Sequence, residues 1–435
     1  MSYRVAVIGG GLAGAVAALS AVRRGVKVIL ITKGAGASAL SGGALDICGS
    51  PISAPGLPWA RFLSVRDNLH ETIARMPHHP YSVLALNNPD DPTDGLMAMI
   101  EEAFGFLREE LFKTGLGLQG DALRQRPAPS MLGTWKLTSF VQSCQQLGVP
   151  EGDAAVAGIK GLSAPDANSL AASLQITLAA TGLGSGEPIE HFDVELEGRE
   201  TWTMEEAAEH LAVPKNLDAF LEKIAAAAGD KYRIILIPPS LPSSALSAEL
   251  RLKGGAVVRE MLATQPSAPG RRMQDALSAA LEAAGIEVAR GEARELERNG
   301  QGLVSCSVGH DGARRRIQAD NWVLATGKFI AGGIKKDRSF RETALDLPLF
   351  CGDQQVGEVF TQKMLRSRVL GDHPAFGVGL MSDRRLRPVD QDGRVILENL
   401  FAAGSVLGGY NYHTGGCGLG VCALTGYRAG LEAAG

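Results

Sequence analysis

The first apolar run of the chain, Arg4 to Ile8, is short and rich in β-branched residues, and a second of the same kind follows at Val26 to Ile31. An Ala-, Leu- and Val-rich stretch of helical length separates them. Short continuous apolar runs on either side of a helix predict buried, parallel strands joined by a crossover. Further along, helical periodicity predicts helices at Thr93 to Lys113, Ala167 to Ala180 and Asn216 to Ala228, and a strand at Tyr232 to Ile237 that Pro238-Pro239 ends. Residues 270–327 read as a helix, Met273 to Ala284, a strand, Ile286 to Ala289, a meander turning around Gly300 to Gly302 and Gly309 to Gly312, and a strand ending at Ala325-Thr326-Gly327. The last segment reads as a strand reaching Ala403-Gly404-Ser405, a glycine-rich turn from Gly415 to Gly420, and a closing helix. This alternation predicts an α/β fold.

Glycine placement turns the first unit into a binding site. Gly9, Gly11 and Gly14 fall in GxGxxG spacing between the two strands. In such a turn the first glycine permits the tight bend, the second lets backbone approach a pyrophosphate, and the third lets the helix pack on the strand. The N–H groups at the start of the helix, around Leu12 and Ala13, then face the anion. A nicotinamide site normally ends its second strand with Asp or Glu. Here that position reads Thr32-Lys33, followed by GAGASALSGGALD, residues 34–46. A Ser-Lys pair before a Ser- and Gly-rich loop is what this resembles in the flavoprotein subunits of succinate dehydrogenase and fumarate reductase. The likeness implies that Ser38, Ser41, Gly42 and Gly43 lie along a flavin. The closing strand Ala325-Thr326-Gly327 is similar to a second flavin segment, beside the adenosine. Gly404 and Ser405, with the helix start at Gly416, Cys417 and Gly418, resemble a third. A helix N-terminus there would face the flavin N1–C2=O, where negative charge gathers on reduction.

Composition narrows the class. The chain has 435 residues, long enough for two domains or one with a large insertion, and 54 of them are glycine, above the usual ~7%. The excess gathers at 9–14, 34–49 and 404–420. A formal net charge of −4 with scattered basic residues gives no reason to expect nucleic acid. The six cysteines, at 48, 144, 306, 351, 417 and 422, form no CxxC pair, so no metal site, iron–sulfur site or disulfide framework is expected, and a reducing cytoplasm fits. Cys417 and Cys422 read as packing residues of the closing helix. No apolar run approaches the ~20 residues that cross a bilayer, and Met1 leads directly into the first strand, so no signal peptide is expected.

A more specific resemblance runs through SALSGGALDICGS (38–50), HPYSVLAL (79–86), LGTWKLTS (132–139), VAGIKGLSAPDANSLAASL (156–174), REMLATQPSAPGRRM (259–273) and NLFAAGSVLGGY (399–410). Together, in this order, these blocks resemble the B-subunit family of the anaerobic glycerol-3-phosphate dehydrogenase. The resemblance implies oxidation of sn-glycerol 3-phosphate to dihydroxyacetone phosphate with electrons passed to quinone. It also implies a companion catalytic A subunit and an iron–sulfur C subunit that anchors the assembly to the inner face of the cytoplasmic membrane. The family is often ascribed FMN. A glycine turn at a helix N-terminus is built for the diphosphate that FMN lacks, so FAD is expected, with FMN as the alternative. The implied architecture is a discontinuous, glutathione-reductase-like, Rossmann-like FAD-binding domain of residues 1–50, 268–335 and 372–435. Residues 51–267, entered through PISAPGLP, form an inserted α+β cap, and 336–371 a short excursion over the flavin.

Alcohol oxidation needs a base for the hydroxyl proton and a flavin to take the hydride. Of the eight histidines, His413 and His373 lie nearest the third flavin segment. Each is a candidate base, or a polar loop residue bonded to backbone. Arg384, with Arg385, Arg387, Arg271 and Arg272, is a candidate for a substrate phosphate. Three roles stay open: direct oxidation of glycerol 3-phosphate, an electron relay or structural flavoprotein without its own substrate site, and a stand-alone reductase of the fumarate type.

Overall fold

A computed structural model describes residues 2–49, 62–182, 187–242, 250–310, 313–357, 361–368 and 371–435. PISAPGLP and the tip of the meander at 311–312 fall outside them. Strand Tyr3–Ile8 and strand Val28–Thr32 run parallel, joined by helix Leu12–Val22. They belong to a seven-stranded sheet in the order Glu287–Arg290, Val28–Thr32, Tyr3–Ile8, Ala313–Leu324, Gly302–His310, Glu292–Asn299, with Leu400–Ala402 beside the end of Ala313–Leu324. The long strand Ala313–Leu324 has two roles. Its first half pairs antiparallel with Gly302–His310, and its second half lies parallel between Tyr3–Ile8 and Leu400–Ala402. Helices Leu12–Val22 and Gly418–Ala434 pack on that parallel part, and strands Glu292–Asn299 and Gly302–His310 lie against Val28–Thr32 and Glu287–Arg290, so that Val5, Val7, Trp322 and Val323 are fully buried. Helix Leu12–Val22 packs on the closing helix Gly418–Ala434, where the Ser20 hydroxyl donates to the carbonyl of Tyr427 at 3.2 Å.

The helices fall close to their sequence-based limits, at Pro92–Lys113, Ala167–Thr181 and Pro214–Ala228. Asp91 and Asp166 cap the first two through the N–H groups of Asp94 and Ser169. The helix expected from Met273 begins earlier, at Ala268, because the Ser267 hydroxyl caps it through the N–H of Gly270 and proline fits its first turn. Between residues 62 and 267 the described residues hold more strand than their pattern suggests. Where the sequence marks one strand, the structure has a parallel four-stranded sheet in the order Val257–Glu260, Ile234–Ile237, Ala154–Ile159, Ile189–Val194. Two antiparallel ribbons accompany it, Leu118–Gly120 with Phe140–Gln142 and Arg126–Pro129 with Trp135–Thr138.

A buried ion pair joins this parallel sheet to the helix Ala268–Ala283. Arg272, on the Ala268–Ala283 helix, meets Glu260 of that sheet through Nη2–Oε2 at 2.6 Å and Nη1–Oε1 at 3.2 Å. Its Nε donates to Gln142 Oε1 at 3.0 Å. No helix among the described residues is long and apolar enough to cross a membrane. No group of His, Cys, Asp or Glu among them is arranged to hold a metal ion.

Candidate functional site: a cavity at the nucleotide-binding turn

The strand Tyr3–Ile8 ends in Gly9, whose N–H donates to the carbonyl of Ile31 at 2.8 Å. Gly9 has φ +125°, and a Cβ there would stand 2.1 Å from the carbonyl oxygen of Ala325, so only glycine lets the turn pass the end of the neighbouring strand. Gly11 then caps helix Leu12–Val22 without a side-chain acceptor. The N–H of Leu12 donates to Ser38 Oγ at 3.2 Å, which ties the Ser- and Gly-rich loop over the helix start. A second helix opens onto the same space, and its cap residue, Cys417, likewise offers no side-chain acceptor.

Around these helix starts lies a cavity of 710 Å³, within the range of ligand sites. Of the residues the sequence singles out for a cofactor, Gly9, Gly11, Leu12, Ala13, Thr32, Lys33, Ser38, Ser41, Gly42, Ala325, Thr326, Gly327, Gly404, Ser405 and Gly418 line it. Four others do not. Gly14 lies behind the turn, where a Cβ would stand 1.9 Å from the carbonyl oxygen of Gly9. Gly43 backs onto the carboxamide of Gln145, which also donates to the carbonyl of Gly42 at 2.9 Å. Gly416 accepts from the N–H of Gly49 at 2.8 Å. Cys417 is buried with its Sγ 3.6 Å from His79 Nε2.

The donor set suits FAD. Two helix N-termini whose cap residues offer no side-chain acceptor suit phosphate and reduced-flavin charge, Lys33 adds a cation, and the hydroxyls of Ser41 and Thr326 are buried at the cavity without a hydrogen-bond partner. The Gly9–Ala13 turn and Ser38 would hold the diphosphate, and Ser41, Gly42 and Gly418 the ring end. Bound there, FAD supplies a two-electron hydride acceptor.

His413 lines the cavity, its ring 4.4 Å from that of Phe376 and 4.3 Å from that of Tyr412. Burial, with nearby His373 second, holds its imidazole below the usual value, so it is neutral at neutral pH. His373 is off the cavity. It sits behind Phe376 and its Nδ1 accepts the N–H of Arg366 at 2.9 Å. Arg384 is exposed and away from the cavity, its carbonyl accepting from Asn87 at 3.0 Å. The other candidate arginines are committed as well: Arg385 to Glu432, Arg387 to Asp383 and Glu398, Arg271 to Glu205, and Arg272 to Glu260. Among the described lining residues the cations are Lys33, Lys136 and Lys328, and none is an arginine.

Lys328 and the Asp46–Lys136 pair escape sequence reasoning. Lys328 follows Thr326-Gly327 directly and is 3% exposed, its Nζ donating to the carbonyl of Phe376 at 2.6 Å and lying 5.5 Å from the centre of the Tyr410 ring. Burial pulls its ammonium down to about 7. Asp46 and Lys136 stand inside SALSGGALDICGS and LGTWKLTS, yet only folding brings them together, at 2.6 Å. Cys422 lines the cavity with its thiol pushed up to about 12 by burial, which leaves it protonated and suits packing.

The FAD binding domain family model matches residues 4–421. This chain belongs to the FAD binding domain family. Curated relatives carry the resemblance read from the sequence. The B subunit of a probable anaerobic glycerol-3-phosphate dehydrogenase of Halobacterium salinarum is 28% identical over 450 residues, covering 99% of this chain and 97% of that protein. The B subunit of the anaerobic glycerol-3-phosphate dehydrogenase of Yersinia pseudotuberculosis is 28% identical over 438 residues, covering 97% of this chain and 95% of that one. Among solved structures, the 3-ketosteroid delta1-dehydrogenase of Sterolibacterium denitrificans aligns with a TM-score of 0.42 and 12% identity, covering 100% of this chain and 99% of that chain. Membership makes the chain an FAD-dependent oxidoreductase of α/β fold, as expected, and the relatives' names make it similar to one subunit of a multi-subunit enzyme.

Proposed function

We propose that this chain is the FAD-carrying B subunit of a respiratory glycerol-3-phosphate dehydrogenase, oxidising sn-glycerol 3-phosphate to dihydroxyacetone phosphate with electrons passed on to quinone. The observation that carries the reading is a single cavity walled by Gly9–Ala13, Ala325–Gly327 and Gly404–Ser405, in a chain that aligns with glycerol-3-phosphate dehydrogenase B subunits over nearly its whole length. His413, the one histidine lining the cavity among the described residues, takes the hydroxyl proton in this reading. Residues 1–50, 268–335 and 372–435 form the FAD-binding domain and 51–267 the insertion. Thr343 and Ala344 on the cavity wall support an excursion of 336–371 over the flavin. A companion A subunit and an iron–sulfur C subunit complete the assembly and hold it at the cytoplasmic face of the membrane.

One observation favours a second reading, an electron relay whose alcohol chemistry belongs to the A subunit. No arginine lines the cavity among the described residues, so a phosphate meets no bidentate fork. The same observation weighs against a fumarate-type reductase, which needs a proton-donating arginine. Adding glycerol 3-phosphate to the purified yellow chain separates these readings. Bleaching by the chain alone supports direct oxidation, and bleaching only after an A subunit is added supports the relay. Dithionite-reduced chain reoxidised by fumarate would overturn both.

A further inference from the structure

The cavity has two ends with different chemistry. At one end stand the nucleotide-binding turn and Lys33, whose Nζ lies 3.2 Å from where a Cβ on Gly332 would be. At the other, the ribbon strand Trp135–Thr138 of the insertion brings Trp135 and Lys136 onto the wall, facing Asp46 of the loop after the Ser- and Gly-rich segment.

Asp46 is held on three sides. Leu45 exchanges backbone hydrogen bonds with Phe140 of the insertion, the Ile47 carbonyl accepts from the Tyr81 hydroxyl at 2.6 Å, and the Asp46 carbonyl accepts the N–H of Gly420 at 3.0 Å. The side chain is 12% exposed, Oδ2 receives the Lys136 ammonium at 2.6 Å, and Oδ1 is buried with no hydrogen-bond partner. Lys136 itself is 47% exposed in its side chain, and Asp46 takes one of the three donors of its ammonium. The remaining cation on the wall, Lys328, is spent on a backbone carbonyl.

We propose that Lys136, held in place by Asp46, is the specificity-determining cation of the cavity and receives the anionic group, a phosphate monoester, of the hydroxylated molecule that is oxidised there. Asp46 is a positioning residue that acts through Lys136. The inference rests on the direct-oxidation reading. A lone ammonium serves as a point charge rather than a fork, so it selects for charge more than for shape. Its place on the insertion, opposite the loop, also makes recognition depend on the insertion being docked.

The test uses the FAD-loaded chain with Lys136→Met, Lys136→Arg and Asp46→Asn, the flavin-to-protein ratio confirming that each variant is folded and loaded. Calorimetric titration with glycerol 3-phosphate and with glycerol is read beside the dependence of flavin bleaching on substrate concentration. Lys136→Met is expected to weaken glycerol 3-phosphate binding about tenfold or more while leaving glycerol unaffected, raising KM with little change in kcat. Lys136→Arg restores most of the binding, and Asp46→Asn gives an intermediate loss. Wild-type behaviour in Lys136→Met, against a wild-type chain that binds and bleaches, overturns the assignment of Lys136 alone. A wild-type chain that neither binds nor bleaches overturns both the assignment and the direct-oxidation reading.

Discussion

The guanidinium of Arg272 meets the carboxylate of Glu260 at 2.6 Å with both side chains sealed from water, 5% and 0% exposed. Removing one partner of such a pair strands the other charge in the interior, at a cost of about 3–5 kcal/mol. Arg272→Met should therefore lower unfolding stability by that order in urea denaturation. The double variant Arg272→Met with Glu260→Met should recover part of the loss, and a double variant worse than the sum of its singles would refute this account.

Lys328 makes stability depend on pH in a defined direction. Its folded-state value, about 7, lies below the ordinary 10.5, so between those limits the unfolded chain holds a proton that the folded chain does not. Stability from this group therefore rises with pH across the window, by on the order of 5 kcal/mol. Below about pH 7 the penalty for charging a buried amine is present in full. Comparing FAD-loaded wild type with Lys328→Met by chemical denaturation at several pH values isolates the effect, and parallel curves would contradict it.

Gly9→Ala places a methyl group 2.1 Å from the Ala325 carbonyl oxygen at a backbone angle that alanine resists. The turn must shift away from the helix start, and bound FAD should fall about tenfold or more. Measuring flavin absorbance against protein after gel filtration checks this. A fully loaded variant would mean the diphosphate lies elsewhere.

His413→Gln should lower the rate of flavin bleaching by glycerol 3-phosphate by about 10²–10⁴ while leaving FAD content unchanged. Because burial lowers its imidazole, activity should rise with pH through a value below the ordinary histidine range and then level off. A profile whose acid limb is the same in the variant would remove His413 from the chemistry.

The flavin half of the fold was legible because its signals are local. Gly9, Gly11 and the flanking apolar strands lie within one short segment, and Thr326-Gly327 and Gly404-Ser405 each end a strand that reads as one. The inserted sheet was not legible, because Ala154–Ile159 is a run of alanine, glycine and short aliphatic side chains, and Ile189–Val194 is an edge strand carrying glutamate, histidine and aspartate. Neither pattern announces a strand without its partners. The arginines misled for a related reason: whether Arg272 meets a phosphate or a carboxylate is decided by Glu260, which another sheet brings beside it. Nothing beside Lys328 in the sequence marks it as buried, because it is the Pro374–Gly377 turn that brings the Phe376 carbonyl to it. Asp46 and Lys136 are 90 positions apart, and only the contact of loop and ribbon pairs them.

The closing helix Gly418–Ala434 both walls the cavity and packs along helix Leu12–Val22. During translation, then, the glycine turn precedes that helix by some four hundred residues and stays an open-sided pocket until the helix follows it. Cofactor capture should wait for that wall, and a stop placed just before Gly418 should release a colourless product.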